Sequence, residues 1–160
     1  MTKSCIIFDL DGTLADLSHR LPLVRKTPPD WPAFFAACPD DLPNHWLIDM
    51  LDTLRLHNEI LICSGRPEEW RSATLDWLAK HGVPFNVLLM RPSGDHRPDT
   101  VVKKEMLDNI RGQGYAPLCA IDDRPSVVKM WRENGVPCLA MDDAEWNVPG
   151  HHLFGDKDGR

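Results

Sequence analysis

The chain has 160 residues and a formal net charge of −6, which gives room for one hydrophobic core and little for a second folded unit. The acidic balance argues against a protein that holds long duplexes by neutralising many phosphates, but it leaves the binding of a single phosphate end open. No apolar run approaches the roughly 20 residues of a membrane span, and acidic residues follow the N-terminus too closely for a signal peptide, so we expect one cytoplasmic domain over residues 1–160.

Five short apolar runs predict the strands of a sheet. They cover residues 5–8, 59–63, 86–90, 117–121 and 137–141. Because these runs are continuous rather than alternating, they are typical of parallel strands that are buried on both faces. Segments with helical periodicity lie between them, at residues 44–57, 67–81, 99–111 and 125–134. The alternation predicts an α/β fold, a Rossmann-like three-layer sandwich with a mainly parallel five-stranded sheet.

A segment of about residues 15–43 interrupts this alternation after the first strand. It contains several prolines, an aromatic cluster and only one short helix-like piece, which predicts a small insertion of loop and helix. The aromatic side chains of Trp31, Phe34 and Phe35 are predicted to form a small core of the insertion. The alternative is that they stack on a nucleic-acid base.

Three histidines are predicted to lie at the surface. His19 is next to Arg20 in the insertion, and a surface position is a simpler interpretation than a substrate contact. His151 and His152 belong to a polar tail of about residues 150–160, and no cysteine or histidine stands near them at a metal-ligand spacing.

Polar side chains follow the predicted strands at the edge of the sheet where the carboxyl ends meet. Asp9 and Asp11 follow the first strand, Ser64 the second, and Asp122 and Asp123 the fourth. Functional groups collect at this edge in open parallel sheets. Converging carboxylates repel one another unless a cation lies among them, and a small all-oxygen set suits Mg²⁺. Together with nearby hydroxyl and basic groups, this pattern predicts metal-assisted phosphoryl transfer.

Four motifs, in this order along the chain, resemble those of the haloacid dehalogenase (HAD) superfamily of aspartate-dependent phosphohydrolases. They are FDLDGTLAD, CSGRP, the lysine at position 103, and IDDR. Within that superfamily the chain is most similar to the 3′-phosphatase domain of phage polynucleotide kinase-phosphatase, through SGRPEEWR, GDHRPDTVVKKEM and IDDRPSVVKMWRENGVPC. The resemblance covers about residues 4–141.

The resemblance implies a role for each catalytic residue. Asp9 is expected to be the nucleophile that forms an aspartyl-phosphate, and Asp11 the general acid and then the general base. Ser64 is expected to bond a phosphate oxygen, and Lys103 to neutralise the growing charge. An ion pair with Asp99, one helical turn before it, could hold this lysine in place.

The same resemblance implies the remaining contacts of the site. The expected substrate-binding residues are Thr13, Arg20, Gly65, Arg66 and Asp99. The expected Mg²⁺ ligands are Asp9, Asp11 through its main-chain carbonyl, Asp122 and Asp123, and the sequence leaves open which of the last two binds the metal directly.

The resulting hypothesis is a Mg²⁺-dependent phosphomonoesterase that removes the 3′-phosphate of nucleic-acid ends or nucleotides. A nucleotidase or small-metabolite phosphatase, a phosphoryl transferase and an inactive binding module remain alternatives. Retention of both Asp9 and Asp11 weighs against the binding module, since a protein that only binds needs no acid. The sequence has no GxxxxGK[ST] motif, so no kinase activity is predicted. The expected partner is a phosphorylated nucleic-acid end or nucleotide, without a membrane, and the choice between monomer and dimer stays open.

Overall fold

The first apolar run forms the centre of a parallel sheet in the computed structural model, which describes residues 2–141. The first half of the chain forms β1 (Lys3–Phe8), β2 (Ala15–Asp16), α1 (Leu21–Arg25), α2 (Trp31–Ala36), a 3₁₀ turn (Cys38–Asp40), β3 (Leu42–Pro43) and α3 (His45–Leu54). The second half forms β4 (Glu59–Pro67), a 3₁₀ turn (Glu68–Trp70), α4 (Arg71–Lys80), β5 (Val87–Arg91), α5 (Asp99–Gly112), β6 (Tyr115–Asp122), α6 (Pro125–Glu133) and β7 (Cys138–Ala140). The predicted polar tail, with His151 and His152, lies outside the described residues.

The sheet has five strands in the order β5-β4-β1-β6-β7, and every neighbouring pair is parallel. The fold class predicted from the alternating runs is therefore confirmed. Strand β1 lies between β4 and β6, so the ends of these three strands stand side by side at one edge. None of the helices within residues 2–141 is long and apolar enough to cross a membrane.

Helices cover both faces of the sheet because successive side chains of a strand point to opposite sides. Ile6 and Phe8 of β1 belong to the hydrophobic core shared with α3 and α4. Cys5 and Ile7 belong to the core on the other face, shared with α5 and α6. This double burial explains why the strands are continuous apolar runs in the sequence.

Two boundaries around β4 differ from the sequence prediction. The strand continues through Ser64 to Pro67, with a register shift against β5 in this stretch, so the serine motif is part of the strand instead of following it. Pro67 keeps an extended backbone, with φ −62° and ψ 149°, and α4 begins only at Arg71 after the 3₁₀ turn. Trp70, within the segment predicted as this helix, lies in the 3₁₀ turn and stacks against Phe35 of the insertion.

The insertion after β1 is more helical than the sequence indicated. It forms α1, α2 and a 3₁₀ turn where one short helix-like piece was predicted. The prolines were misleading because Pro22 and Pro32 occupy first-turn positions, where a missing N–H costs nothing. Trp31, Phe34 and Phe35 are buried in a separate core cluster, which confirms the predicted small core.

Candidate active site

Three carboxylates converge where β1 and β6 end. Asp9 follows β1, Asp122 ends β6, and Asp123 comes next in the chain. All three residues are buried, with 6%, 1% and 4% of their surface exposed. One oxygen from each lies within 4.8 Å of the others, which is close enough to hold one metal ion.

The side chain of Lys103, on α5, extends into this cluster. Its Nζ donates hydrogen bonds to Oδ1 of Asp9 at 2.8 Å and to Oδ2 of Asp122 at 2.7 Å. The indole N–H of Trp131 donates to the same Asp122 oxygen at 3.2 Å. Burial alone would lower the pKa of Lys103, but the charges of Asp122 and Asp9 outweigh burial and raise it, so the lysine stays cationic.

The donor set fits a divalent cation. Three carboxylates and one ammonium group leave an excess of negative charge in a buried space. Burial raises the pKa of Asp9 to about 6, against the opposing charge of Lys103. Burial and the charge of Asp9 also raise the pKa of Asp123 well above its usual range. A second cation would relieve this repulsion, and carboxylate oxygens are the ligands that Mg²⁺ prefers.

The side chain of Asp11 turns away from the three carboxylates towards two arginines. Its Oδ1 accepts hydrogen bonds from Nη2 of Arg20 and from Nη2 of Arg66, both at 2.6 Å. Nε of Arg66 adds contacts of 3.0 and 3.1 Å to the two carboxylate oxygens. Burial opposes ionisation of Asp11, but the charges of Arg20 and Arg66 prevail and lower its pKa. The aspartate is therefore anionic while these ion pairs persist.

A fourth charged residue, Asp41, completes this group, and the sequence analysis missed it. Asp41 precedes β3 at the end of the insertion, and its side chain is fully buried. It pairs with Arg20 at 2.7 Å and with Arg66 at 3.0 Å. His19, which is partly exposed at the surface as predicted, lies 2.9 Å from the same carboxylate. Asp41 carried no local signal in the sequence, because only the structure shows that Arg20 and Arg66 are both buried and need more than the one carboxylate of Asp11.

Asp99 does not form the ion pair with Lys103 that the helical spacing suggested. Its two carboxylate oxygens bind Arg91 and Arg124 instead, the latter at 2.6 Å. The lysine is one turn further along α5, where Asp9 and Asp122 attract it more closely.

Gly65 lies against Asp99 with no room for a side chain. A Cβ at this position would stand 2.9 Å from Oδ1 of Asp99, closer than such contacts occur. The carbonyl oxygen of Gly65 accepts a hydrogen bond from Nε of Arg91 at 3.0 Å. The glycine therefore lets the Ser64–Arg66 stretch of β4 approach the start of α5.

Thr13 and Ser64 are both buried beside the site. Ser64 Oγ accepts a hydrogen bond from the backbone N–H of Arg66 at 3.1 Å. Thr13 Oγ1 is buried and has no hydrogen-bond partner within the described part of the chain. Neither side chain lines the pocket described next, and their predicted substrate contacts remain predictions.

One pocket brings most of the predicted site residues together. Its wall contains the acidic cluster with Lys103, the side chain of Asp11, the Asp99–Arg124 pair beside Gly65, and the aromatic side chains of the insertion. The lining residues are Asp9, Asp11, Trp31, Phe34, Phe35, Gly65, Asp99, Lys103, Asp122, Asp123 and Arg124. The predicted residues Arg20 and Arg66 stand behind Asp11 and meet the pocket only through it. The insertion core thus has a second role, as the apolar side of the pocket.

Comparisons with known proteins agree with this geometry. A family model described as the polynucleotide kinase PNKP phosphatase domain matches residues 3–146. Two solved structures of a Pnkp1/Rnl/Hen1 complex, one described as an RNA repair complex, have TM-scores of 0.74 and are 34% and 32% identical over 88% and 97% of this chain. A class C acid phosphatase from Bacillus anthracis shares the fold with a TM-score of 0.66, 19% identity, and coverage of 91% of this chain and 69% of its own.

The nucleic-acid-processing relatives are longer than this chain. A protein of Autographa californica nuclear polyhedrosis virus, assigned as a bifunctional polynucleotide kinase/RNA ligase, is 36% identical over 86 residues. The match covers 52% of this chain and 12% of the viral protein. The two Pnkp1/Rnl/Hen1 chains are covered over 42% and 47% of their lengths. The chain therefore spans less than half of each of these three relatives.

Proposed function

The chain belongs to the family of polynucleotide kinase phosphatase domains, which are HAD-type phosphatases, and from this we propose that it is a Mg²⁺-dependent phosphomonoesterase that removes 3′-phosphates from nucleic-acid ends. The observation that carries the proposal is a pocket in which Asp9, Lys103 and the Asp122–Asp123 pair meet beside Asp11. Such a pocket offers a nucleophile, a cation and a second carboxylate within reach of one phosphate group.

Asp9 is the nucleophile of the proposed reaction. One of its carboxylate oxygens attacks phosphorus, an aspartyl-phosphate bond forms, and the bond from phosphorus to the sugar oxygen breaks. Lys103 already donates to Oδ1 of Asp9 at 2.8 Å, which holds the carboxylate in one orientation. The same ammonium group offsets the charge that builds up on the transferring phosphoryl group.

Asp11 moves the proton in both steps. It gives a proton to the leaving sugar oxygen, which is a poor leaving group as an alkoxide. It then takes a proton from the water that attacks the aspartyl-phosphate, which releases inorganic phosphate and restores Asp9. The acid role requires the ion pairs with Arg20 and Arg66 to loosen. The negative charge of an incoming phosphate favours protonation of the nearby carboxyl group.

Asp9, Asp122 and Asp123 are the side chains proposed to hold Mg²⁺, with the main-chain carbonyl of Asp11 as a further ligand. When bound, the ion would neutralise negative charge on the phosphoryl oxygens and on the three carboxylates. Arg124, which lines the pocket and pairs with Asp99, adds a fixed positive charge to the pocket wall.

We further propose RNA as the natural substrate. The support is the likeness to chains of a Pnkp1/Rnl/Hen1 RNA repair complex, at 34% identity over 88% of this chain. The apolar side of the pocket, formed by Trp31, Phe34 and Phe35, suits the sugar next to a terminal phosphate in RNA and DNA alike, so the proposal of RNA rests on this likeness.

The test compares Mg²⁺-dependent phosphate release from matched oligonucleotides with 3′- and 5′-phosphates, in RNA and DNA versions, and from 3′-mononucleotides. The proteins are wild type, Asp9→Asn and Asp49→Asn, where Asp49 lies on the exposed side of α3. We expect release from 3′-phosphorylated ends by wild type and Asp49→Asn, with no detectable release by Asp9→Asn.

Each other outcome changes the assignment. Release from mononucleotides alone would make the protein a nucleotidase. Equal release from 3′- and 5′-phosphates would remove the end specificity. Phosphate release that persists in Asp9→Asn would exclude this residue as the nucleophile, and activity without any divalent cation would exclude the metal.

A further inference from the structure

Asp41 occupies an unusual position for a charged residue, because its side chain has no exposed surface and contacts neither the pocket nor the acidic cluster directly. It faces the two arginines that hold Asp11. Two guanidinium groups and two carboxylates thus form a buried, neutral group of four charges. Removing one member of such a group leaves an uncompensated buried charge.

The contacts of Arg20 show which residue fixes its place. Asp41 accepts two hydrogen bonds from it, from Nε at 2.7 Å and from Nη2 at 2.7 Å, in the two-pronged arrangement typical of arginine and carboxylate. Asp11 accepts one, at 2.6 Å. The orientation of the guanidinium group is therefore set by Asp41, and Asp11 shares the Nη2 nitrogen with it.

Asp41 is itself tied to the main body of the protein. Its carbonyl oxygen accepts a hydrogen bond from the indole N–H of Trp77 at 2.9 Å, and Trp77 lies in the core between α4 and the sheet. Arg20 in turn rests on the ring of Phe34 at 4.2 Å and donates to the carbonyl oxygen of that residue at 3.3 Å. The line from Trp77 through Asp41 and Arg20 thus joins the sheet layer, the insertion and Asp11.

We propose that Asp41 is a positioning residue for the reaction: by orienting Arg20 and sharing Arg66, it places the carboxyl group of Asp11 beside the oxygen of the leaving group. This inference rests on the proposed function, because it assigns Asp41 a part in the proton transfer made by Asp11. Without Asp41, both guanidinium groups would have Asp11 as their one carboxylate in this group. The two arginines would then bind the carboxylate of Asp11 in a different orientation, away from the oxygen of the leaving group.

The test compares two substrates, a 3′-phosphorylated oligonucleotide and p-nitrophenyl phosphate, which differ in whether the leaving group needs a general acid. A sugar oxygen leaves as a poor alkoxide and needs the proton, whereas p-nitrophenolate is stable as an anion and leaves without one. The measured quantity is kcat/KM, since it covers the steps up to the transfer onto Asp9 and not the later hydrolysis. The ratio of kcat/KM for the two substrates is also independent of the fraction of protein that is folded.

We expect Asp41→Asn to lower kcat/KM for a 3′-phosphorylated oligonucleotide by about 10-fold or more, a part of the 10²–10⁴-fold that a general acid supplies. For p-nitrophenyl phosphate the loss should stay below about 3-fold on the same reasoning. The control is Asp40→Asn, which changes the exposed neighbour in the 3₁₀ turn and should leave both values near wild type.

Equal losses on both substrates would mean that Asp41 only supports the structure, and no loss on either would exclude any role in the reaction. If Asp41→Asn is unfolded at the assay temperature, Asp41→Glu keeps the charge, moves the carboxylate and should give the same unequal losses. Wild-type protein that hydrolyses p-nitrophenyl phosphate but not the oligonucleotide would overturn the nucleic-acid substrate alone, and the comparison is then made with a 3′-mononucleotide. Wild type inactive on every substrate would overturn the proposed function and the role of Asp41 together.

Discussion

Two adjacent lysines of α5 show how burial decides what a charged residue does. Lys103 is buried between Asp9 and Asp122, whereas Lys104 pairs with Asp108 at the surface. The two lysines are neighbours in the sequence, and their different places on the helix give them different surroundings. One neutralises a catalytic cluster, and the other is an ordinary ion pair with its partner one turn away.

This contrast predicts unequal costs in stability. Replacing Lys103 by methionine leaves buried carboxylates without their cation, so we expect the free energy of unfolding in Mg²⁺-free buffer to fall by about 3–5 kcal/mol. Lys104→Met should cost at most about 0.5 kcal/mol, as is typical of an exposed pair four residues apart. Urea unfolding followed by circular dichroism measures both, and equal losses would contradict the buried role of Lys103.

A second prediction concerns the close approach of Gly65 to Asp99. Because Asp99 is held by Arg91 and Arg124, it cannot easily move away from a Cβ placed 2.9 Å from its Oδ1. Displacements of this size near reacting groups are costly, and we expect Gly65→Ala to lower kcat/KM by about 10-fold or more.

The matched control for this substitution is Gly112→Ala at the end of α5, where nothing lies within 4 Å of the added Cβ. It should leave kcat/KM unchanged and stabilise the helix by up to about 1 kcal/mol. Full activity of Gly65→Ala would show that the network around Asp99 tolerates displacement and does not position the site.

At the scale of elements, the insertion is a separate small core attached to the sheet domain. Phe34 is buried within it, next to Trp31 and Phe35, and their rings meet edge-on or stacked with centroids 5.3 to 6.0 Å apart. We therefore expect the insertion to loosen locally while the sheet stays intact.

We expect Phe34→Ala to speed backbone hydrogen exchange in residues 17–43 without changing exchange in β1. Removing a buried aromatic side chain costs about 3–5 kcal/mol, and here the loss falls mostly on the insertion. Leu42→Ala, in the same segment but with the leucine 68% exposed, is the control and should leave exchange as in wild type. Faster exchange throughout the sheet after Phe34→Ala would mean that the insertion and the sheet unfold as one unit.

For the whole molecule, the acidic cluster sets the balance between stability and function. Asp9, Asp122 and Asp123 repel one another in the metal-free protein, and burial raises the pKa values of Asp9 and Asp123. A cation that binds only the folded state stabilises it by about 2.7 kcal/mol at 100 times its Kd. Without metal, the protein thus carries an electrostatic cost that the proposed ligand removes.

One substitution in the acidic cluster should raise the melting temperature of the metal-free protein and reduce its stabilisation by Mg²⁺. Asp123→Asn should raise the melting temperature in Mg²⁺-free buffer, because one repelling charge is lost, and should reduce the further rise caused by Mg²⁺. Asp49→Asn, at the exposed side of α3, should leave both melting temperatures as in wild type. Scanning calorimetry with and without Mg²⁺ measures these shifts, and an unchanged response of Asp123→Asn to Mg²⁺ would exclude this residue as a ligand.

The sequence by itself determined the fold class and the acidic centre of the site. The continuous apolar runs predicted strands buried on both faces. The carboxylates after the first and fourth runs were expected to lie close together, because the carboxyl ends of parallel strands stand at one edge of the sheet. These inferences need only the pattern of hydrophobic residues along the sequence and the parallel direction of the strands. Element boundaries were harder to predict: Pro67 stays extended in β4, whereas Pro22 lies in the first turn of α1, although both prolines look alike in the sequence.

Only the tertiary structure decided which charges pair. The helical spacing of four residues suggested an ion pair between Asp99 and Lys103. The lysine instead binds Asp9 and Asp122, which come from distant parts of the chain. Asp41 gave no local signal, because its importance comes from two arginines that folding brings to it. Local patterns reach about one helical turn along the chain, whereas a buried charge must be compensated by whatever residue the packing places beside it. For this reason the residue types of the site were readable in the sequence and its arrangement was not.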